Sequence, residues 1–326
     1  MIISRAPFRV SLGGGGTDLP SYYTKYGGFF VSGAVNRYVH IAINRRFEQD
    51  SLRVSYSTTE IVKSAEELKH PLVREALKLL GVSRGIEIVS IADAPAATGL
   101  GSSGSFCVCL LKGLHAYLRQ DVTTRDIAEE ACDIAMKRLR EPSGKQDEYI
   151  ASFGGICSFE VDRDGAVKVQ PISLSTHTLS ELEANILMFY TGITRSAAPV
   201  LSRQQDAIGR EEGASRMHRI KEIGIMSRDA LVSGDLTRFG QLLHEHWLVK
   251  RGVTDGMTTS DIDRWYEVAR QNGAIGGKVI GAGGGGFLML YCENGRDRLR
   301  RAMEREGLTE HRFRFEFEGA KVVYNT

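Results

Sequence analysis

The segment Pro95-Ala-Ala-Thr98-Gly99-Leu100-Gly101-Ser102-Ser103-Gly104 decides the fold, because a glycine-rich turn there joins a strand-like run to an apolar helical pattern. The strand-like run is Ile86-Glu-Ile-Val-Ser-Ile91, and the helix is predicted over about 103–118. The first amides of a helix have no internal hydrogen-bond partner and carry partial positive charge, so they bind phosphoryl oxygens without a lysine. Ser102 and Ser103 can cap the helix and also offer oxygens to a magnesium ion. The segment therefore predicts a phosphate site.

Two other interpretations of this segment stay open on its sequence alone. Gly99, Gly101 and Gly104 have the G-x-G-x-x-G spacing of dinucleotide-binding folds, but residues 93–98 separate the first glycine from the strand. The segment also fits a simple glycine-rich connector. A Walker-type loop is excluded, because no glycine-lysine pair followed by Ser or Thr occurs in the chain.

Composition places the chain among ordinary globular proteins. Of its 326 residues, 42% are hydrophobic and 25% are charged, and this length predicts two domains, 1–172 and 173–326. The net charge of +2, with scattered basic residues, predicts small-molecule partners and no nucleic-acid or membrane partner. The five cysteines form no C-x-x-C pair, and neither a signal-like stretch nor an 18-residue apolar run occurs, so we expect a cytoplasmic location.

The apolar periodicity changes character near the middle of the chain. The first half predicts strands at 2–3, 8–12, 29–31 and 39–43, helices at about 64–80, 103–118 and 124–139, and a strand pair at 156–161 and 167–172. The second half predicts a strand at 184–190, helices at about 203–233, 235–247 and 261–272, strands at 277–280 and 287–291, a helix at 296–305 and a last strand pair through 313–317 and 322–323. This order predicts an α+β fold with a cleft between two closely packed domains.

Three glycine-rich runs lie far apart in the sequence, namely Gly13–Gly16, Gly99–Gly104 and Gly281–Gly286. Because glycine loses more chain entropy on folding than other residues, each run needs a compensating role. A tight hairpin is one such role, and strand-like residues on both sides favour it for Gly281–Gly286. Close approach of backbone to a charged ligand is the other role, and the three runs together favour one phosphate-bearing site.

Three charged side chains near these runs are candidates for the chemistry. Arg9 lies within an apolar strand, where a guanidinium needs an anionic partner, either a structural carboxylate or a substrate phosphate. Asp18 can bind sugar hydroxyls, although a turn residue before Pro20 is an equal alternative. Asp147 can orient or deprotonate a hydroxyl that accepts a phosphoryl group, although a helix N-cap is an alternative role.

Together these motifs resemble those of the GHMP small-molecule kinases, the family of galactokinase, homoserine kinase, mevalonate kinase and phosphomevalonate kinase. The resembling segments are Arg5–Asp18, Pro95–Ser103 and Lys278–Phe287, so the similarity spans nearly the whole chain. Within the family, the chain is most similar to bacterial D-glycero-D-manno-heptose 7-phosphate kinases. The resemblance implies a two-domain fold with a ribosomal protein S5 domain 2-like N-terminal domain and a ferredoxin-like C-terminal domain.

The resemblance also implies roles for individual residues. Asp147 matches the family's catalytic aspartate, and Arg9 matches the basic residue that pairs with it. The ATP phosphates would be bound by Pro95, Gly99, Leu100, Gly101, Ser102, Ser103 and Gly104, and magnesium by Ser103 with Ser102. The sugar would be bound by Asp18, Gly15, Gly16, Thr17, Lys145 and Gln146, and its distal phosphate by Arg195, Lys250, Arg251 and Lys278.

One position departs from the pattern of this family. Many relatives have a magnesium-binding glutamate about twelve residues before the catalytic aspartate, where this chain has Ala135. Serine, phosphates and water would then hold the metal, or Asp133 or Glu141 if the helix is offset.

The activity implied by the resemblance is magnesium-dependent transfer of a phosphoryl group from ATP to the anomeric hydroxyl of heptose 7-phosphate. The product, a 1,7-bisphosphate, would serve synthesis of nucleotide-activated heptose for capsule, S-layer or lipopolysaccharide glycans, and a homodimer is possible. Three alternatives remain: a GHMP kinase for fucose, galactose or mannose, a non-catalytic sugar or nucleotide sensor, and a dinucleotide oxidoreductase. The presence of both Asp147 and Arg9 argues against a sensor.

Overall fold

The computed structural model describes residues 1–326, which form two sheets covered by helices. The strands are β1 (Ile2–Gly13), β2 (Gly28–Arg45), β3 (Leu52–Ser55), β4 (Thr59–Val62), β5 (Ile86–Ala92), β6 (Ile156–Val161), β7 (Val167–Pro171), β8 (Ile186–Tyr190), β9 (Gly276–Val279), β10 (Phe287–Tyr291), β11 (Thr309–Glu310) and β12 (Lys321–Asn325). The helices are α1 (Pro20–Tyr26), α2 (Pro71–Leu79), α3 (Ser102–Tyr117), α4 (Thr124–Cys132), α5 (Gln146–Phe153), α6 (Thr176–Asn185), α7 (Ala198–Ile208), α8 (Glu211–Ser233), α9 (Leu236–Lys250), α10 (Ser260–Gln271) and α11 (Arg296–Arg305). This arrangement is the predicted α+β class.

The first sheet has eight strands, in the order β12-β1-β2-β5-β3-β4, with β6 beside β2 and β7 beside β6. All its pairs are antiparallel except β3 with β5. The second sheet is antiparallel, in the order β11-β8-β10-β9. The helix α3 packs across β1 and β2, and α8 from the second half of the chain also packs against these strands. The largest apolar cluster therefore contains residues from both halves.

The two long strands β1 and β2 each unite runs that the sequence predicts as separate strands. The predicted runs 2–3 and 8–12 both belong to β1, because a shift of register between Pro7 and Phe8 bends the strand without ending it. The runs 29–31 and 39–43 likewise belong to β2. At its end β1 leads directly into the first glycine-rich run, which places that run at the edge of the sheet.

The C-terminal tail returns to the first sheet. There β12 pairs with β1, and Phe315 forms an isolated bridge with Val35 of β2. The predicted strand through 313–317 is therefore wrong, because this segment makes only that one bridge. The predicted domain division at residue 172 separates the two sheets except for the tail, and the division stays a prediction.

Several helix predictions also need correction. Neither α5 nor α6 is predicted from the sequence, and the strand predicted from 184 begins at Ile186, after α6. The helix predicted from about residue 261 begins at Ser260, because the hydroxyl of Thr259 accepts the Ile262 amide and caps it. After α4 the chain continues as a π-helical turn over Asp133–Arg138.

No helix in the chain combines the length and the apolar composition needed to span a bilayer. The homodimer and the cytoplasmic location remain predictions.

Candidate active site

A cleft of about 400 Å³ brings together residues from distant parts of the sequence. All three glycine-rich runs reach its wall, through Gly15 and Gly16, through Gly99 and Gly101, and through Gly281, Gly283 and Gly285. The third run is also the predicted hairpin turn, since it joins the paired strands β9 and β10. It packs directly on the second run, because a Cβ atom added to Gly99 would lie 2.5 Å from the carbonyl oxygen of Ile280.

An ion pair between Arg9 and Asp147 lies in the cleft. Arg9, on β1, donates from Nε to Asp147 Oδ1 at 2.7 Å, and its Nη2 lies 2.6 Å from the same oxygen. A third donor of the guanidinium, Nη1, contacts the carbonyl oxygen of Gly99. The Arg9 side chain is only 6% exposed, whereas that of Asp147 is 31% exposed. The pair therefore presents the carboxylate, and not the guanidinium, most openly to the cleft.

The N-terminus of α3 points into the same cleft. Gly101 is its N-cap residue with φ of 74°, a conformation that favours glycine, and Ser102 and Ser103 begin the helix. Neither serine caps the helix, since no side-chain hydrogen bond to its first turn is present. The unpaired amides and the two hydroxyls are therefore available to an anion and to a cation.

Asp18 is held rigidly between two glycine-rich segments. Its Oδ1 accepts the Gly16 amide at 3.0 Å, and its Oδ2 accepts the Gln146 amide at 2.9 Å. Burial raises the pKa of Asp18, and the negative charge of Asp147 also raises it, while the backbone hydrogen bonds oppose this shift. Both Asp18 and Gln146 line the cleft, so the predicted sugar-binding pair lies in one place.

Three further basic residues line the cleft. Lys250 and Lys278 are 8% and 1% exposed, and Arg195 donates to the Gly256 carbonyl at 2.7 Å. Burial, together with the charge of nearby Arg9, lowers the pKa of Lys250 to about 8. Burial also holds the pKa of Lys278 well below its usual value, with Lys250 and Arg9 adding to the shift. The charges that act on both lysines are thus cationic, and neither lysine forms an ion pair with a carboxylate.

Six polar residues of the cleft are absent from the sequence predictions, and three of them lack full hydrogen bonding: Ser143, Glu148 and His246. Each has one buried side-chain atom without a hydrogen-bond partner, namely Ser143 Oγ, Glu148 Oε2 and His246 Nε2. Burial, together with the negative charge of Asp147, raises the pKa of Glu148 to about 8. The sequence could have indicated that His246 lines the site, because it lies four residues before Lys250 and therefore on the same face of α9. Glu148 was missed because α5 was not predicted.

The two histidines of α9 have different surroundings. His244 Nδ1 lies 2.8 Å from the hydroxyl of Tyr266, and the two rings stack outside the cleft. His246 lines the cleft and has its Nδ1 3.3 Å from Lys278 Nζ. Burial holds the pKa of His246 well below its usual value.

Six residues predicted to bind ligand do not line the cleft: Pro95, Leu100, Thr17, Lys145, Arg251 and Gly104. Leu100 is packed in the core, and Thr17 donates to the Gly14 and Phe29 carbonyls within the fold. The side chain of Lys145 forms an ion pair with Glu129 outside the cleft, with Nζ 3.0 Å from both carboxylate oxygens. Thr17 and Lys145 thus have partners inside the protein, and the ligand-binding roles of all six residues stay predictions.

Three of the predicted residues, Arg251, Asp133 and Gly104, lie outside the cleft for identifiable reasons. Arg251 lies on the surface, 3.6 Å from Asp263, because it is one position beyond the cleft-facing Lys250 on the helix. Asp133, a possible metal ligand, pairs with Lys137 and Arg138 outside the cleft. Gly104 does not line the cleft either, since a Cβ atom there would lie 2.6 Å from Asp147 Cβ.

Comparison with known families confirms the resemblance inferred from the sequence. Residues 60–155 match the family described as GHMP kinases N terminal domain, and residues 227–308 match GHMP kinases C terminal. The two matched segments together make up more than half of the chain.

Individual relatives are similar over nearly their whole length. The D-glycero-alpha-D-manno-heptose 7-phosphate kinase of Campylobacter jejuni is 28% identical, with 98% of each chain covered. The crystal structure of a D-glycero-D-manno-heptose 1-phosphate kinase from Bacteroides thetaiotaomicron has a TM-score of 0.82 and 26% identity, with both chains fully covered. Lactococcus lactis galactokinase complexed with galactose has a TM-score of 0.77 at 19% identity, covering 99% of this chain and 94% of that one, which supports the fold alone.

Proposed function

The chain belongs to the GHMP kinase family, and on that premise we propose that it phosphorylates the anomeric hydroxyl of D-glycero-D-manno-heptose 7-phosphate to give the 1,7-bisphosphate. The sugar and mevalonate kinases of this family are ATP-dependent phosphotransferases, and this chain is one of them. Two similar proteins are heptose phosphate kinases by name, which supports a phosphorylated heptose as the acceptor.

The surplus of cations in the cleft is the observation that carries this choice of acceptor. Of the four basic side chains there, only Arg9 pairs with a carboxylate, while Arg195, Lys250 and Lys278 do not. Lys250 and Lys278 are buried, and burying a cation without an anion is strongly unfavourable, so these two side chains imply an anionic ligand. A neutral sugar would leave them with the ATP phosphates alone, whereas a sugar phosphate brings a second anion for lysine and arginine to bind.

The chemistry follows from the positions of Asp147, Arg9 and the start of α3. We assign the ATP phosphates to the amides of α3 and to Gly99 and Gly101, and the sugar hydroxyls to Asp18. The acceptor hydroxyl then attacks the γ-phosphorus, its proton passes to Asp147, and ADP leaves. Arg9 faces the charge that develops on the transferred group and orients Asp147. Catalysis in this scheme rests on alignment and charge neutralisation.

The residues around α3 fit a magnesium ion. Ser102 and Ser103 offer hydroxyl oxygens that no capping bond uses, and hard oxygen ligands are what Mg²⁺ prefers. When bound, the ion would neutralise charge on the β- and γ-phosphates during transfer.

The first test is ADP release with a panel of acceptors. We expect turnover with D-glycero-D-manno-heptose 7-phosphate, and at least about 100-fold lower kcat/KM with mannose, fucose, galactose and homoserine, because these lack the second anion. Faster turnover of a neutral sugar than of the sugar phosphate would contradict the proposal and favour another kinase of the family.

A pair of neighbouring substitutions tests the cation cluster. Lys250→Met and Arg195→Met should each raise the KM for the sugar phosphate roughly tenfold or more, with less than about a twofold change in the KM for ATP. Arg251→Met is the matched control, since Arg251 adjoins Lys250 but lies outside the cleft, and it should leave both constants unchanged. If the substitutions raise the KM for ATP instead, the cations bind the nucleotide. The main observation in favour of a phosphorylated acceptor is then lost.

A further inference from the structure

His246 is a buried side chain of the cleft to which the proposed chemistry gives no role. It lies on α9 and is only 1% exposed, yet it lines the cleft. Its Nδ1 lies 3.3 Å from Lys278 Nζ, and its Nε2 is buried without a hydrogen-bond partner in the protein. Leaving a buried polar nitrogen unpaired is unfavourable, so we expect its partner to come from a ligand of the cleft.

The contact with Lys278 determines which nitrogen of the ring carries the proton when an anion is bound. An anion in the cleft favours the charged form of Lys278. An ammonium group has donors only, so Nδ1 of His246 must accept from it. Burial and the charges of Lys278 and Lys250 hold the pKa of His246 well below its usual value, so the ring is neutral and has a single N–H. The proton is therefore on Nε2, and the unpaired nitrogen is a donor.

We propose that Nε2–H of His246 donates a hydrogen bond to the distal phosphate of the acceptor sugar, beside the ammonium groups of Lys250 and Lys278. His246 and Lys250 are four residues apart and share a face of α9, and Lys278 contacts His246 from β9. A neutral donor adds a hydrogen bond to a phosphoryl oxygen without adding a third buried positive charge. The inference rests on the proposed function for the identity of the anion.

The place of His246 in the fold favours the acceptor phosphate over the phosphates of ATP. Both α9 and β9 belong to the second half of the chain, whereas α3, whose start is assigned to the ATP phosphates, belongs to the first. The ATP phosphates have the unpaired amides of α3 as donors. The acceptor phosphate is assigned to Arg195, Lys250 and Lys278, and the unpaired donor of His246 lies next to this group.

Two substitutions separate a donor to phosphate from a residue that only holds Lys278 in place. In His246→Gln the amide nitrogen can occupy the position of Nε2, whereas in His246→Asn the shorter side chain reaches only the position of Nδ1. His246→Asn therefore keeps an acceptor for Lys278 and loses the donor to the ligand. His246→Gln keeps the donor and weakens the contact with Lys278. The inference predicts that only His246→Asn is impaired, and a purely positioning role predicts the reverse.

The KM for heptose 7-phosphate measures the effect in the steady state. His246→Asn should raise this KM roughly tenfold, because a hydrogen bond to a charged group is lost, with less than about a twofold change in kcat. His246→Gln should stay within about threefold of wild type. The control His244→Asn, which changes the histidine outside the cleft, should stay within about twofold.

Three kinetic results would overturn the inference. The first is a wild-type KM for heptose 7-phosphate in His246→Asn, and the second is a KM raised at least as much in His246→Gln. The third is a raised KM for ATP in His246→Asn, because His246 would then contact the nucleotide.

A binding measurement tests the same inference without turnover. The Kd of inorganic phosphate is determined by calorimetry with a non-hydrolysable ATP analogue in the nucleotide site, and binding of the analogue shows that each variant is folded. The Kd should rise roughly tenfold in His246→Asn and stay near wild type in His246→Gln. No phosphate binding by the wild type, or equal affinity in all three proteins, would overturn the inference. Phosphate binding with this dependence on His246, but no turnover of heptose 7-phosphate, would contradict the proposed function alone.

Discussion

Asp147 receives its two hydrogen bonds from Arg9 on a single oxygen. Both Nε and Nη2 of Arg9 contact Oδ1, which leaves Oδ2 free to accept a proton from an incoming hydroxyl. The buried guanidinium also contacts the Gly99 carbonyl, so the position of Asp147 is tied to that of the phosphate-binding loop. This one arginine therefore aligns the acceptor base with the donor phosphates, a role that Lys could not fill because it lacks the planar set of donors.

Asp147→Asn should reduce kcat by about 10²–10⁴-fold, because the amide keeps the shape of the side chain but cannot accept the proton of the acceptor hydroxyl. The affinity for ATP should stay close to wild type, since the start of α3 and the glycine-rich loop are unchanged. Steady-state ADP release and nucleotide titration measure the two quantities. Asp133→Asn is the control, because Asp133 lies outside the cleft, and it should leave kcat unchanged. Normal turnover in Asp147→Asn would remove Asp147 from the mechanism.

At the scale of elements, the site depends on the close contact between α3 and α5. Gly104 stands in the first turn of α3 directly against Asp147 and the amide of Glu148. The close packing of α3 on α5 therefore accounts for the third glycine of the G-x-G-x-x-G pattern. This glycine is not a sign of dinucleotide binding. The same contact brings the catalytic candidate Asp147 to the helix end that binds phosphate.

Gly104→Ala should therefore impair catalysis more than folding. The new Cβ atom would lie 2.6 Å from Asp147 Cβ and 3.1 Å from backbone atoms of the same turn, so α5 must shift and carry Asp147 out of line. We expect kcat to fall by roughly 100-fold, since misplacement of about 1 Å has effects of that size. Gly209→Ala is the control, because φ at Gly209 is −64° and an added methyl group meets only the Asp206 carbonyl, at 3.2 Å. Wild-type kcat in Gly104→Ala would show that the contact is not critical.

The sequence predicts elements with strong local signals and misses those defined by distant contacts. It predicts α3 within a residue at each end and the hairpin of β9 and β10, because turn glycines and apolar periodicity mark them locally. It misses α5, whose eight residues include a Gln146 and a Glu148 that are buried only by tertiary packing. The sequence also predicts that Lys145 binds the ligand. A lysine two residues before Asp147 does not reveal in the sequence that its side chain will form an ion pair with Glu129.

At the scale of the whole molecule, the cleft exists because the two halves of the chain are packed as one body. The polar residues that line the cleft come from β1, α3 and α5 in the first half and from α9 and β9 in the second. The third glycine-rich run rests on the second run, and Lys250 contacts the Gly281 carbonyl at that junction. Any movement between the halves would therefore change the distance between the cation cluster and the phosphate-binding loop.

The C-terminal tail helps to hold the two halves together, and Phe315 is its main apolar contact. The ring is 6% exposed and lies over Gly33 of β2, where an added Cβ atom would come within 2.4 Å of it. The Phe315 amide also donates to Glu183 of α6 at 2.7 Å, so the residue touches an element from each half.

Phe315→Ala should lower the free energy of unfolding by about 3–5 kcal/mol, because it removes a buried ring and leaves a cavity over β2. Phe317→Ala is the matched control two residues along the tail. Its ring is 56% exposed, so the expected change is within about 0.5 kcal/mol. Chemical unfolding followed by circular dichroism measures both values. Equal stability in the two variants would show that the tail lies on the first sheet without stabilising it, and that α8 and the cleft residues alone hold the halves in register.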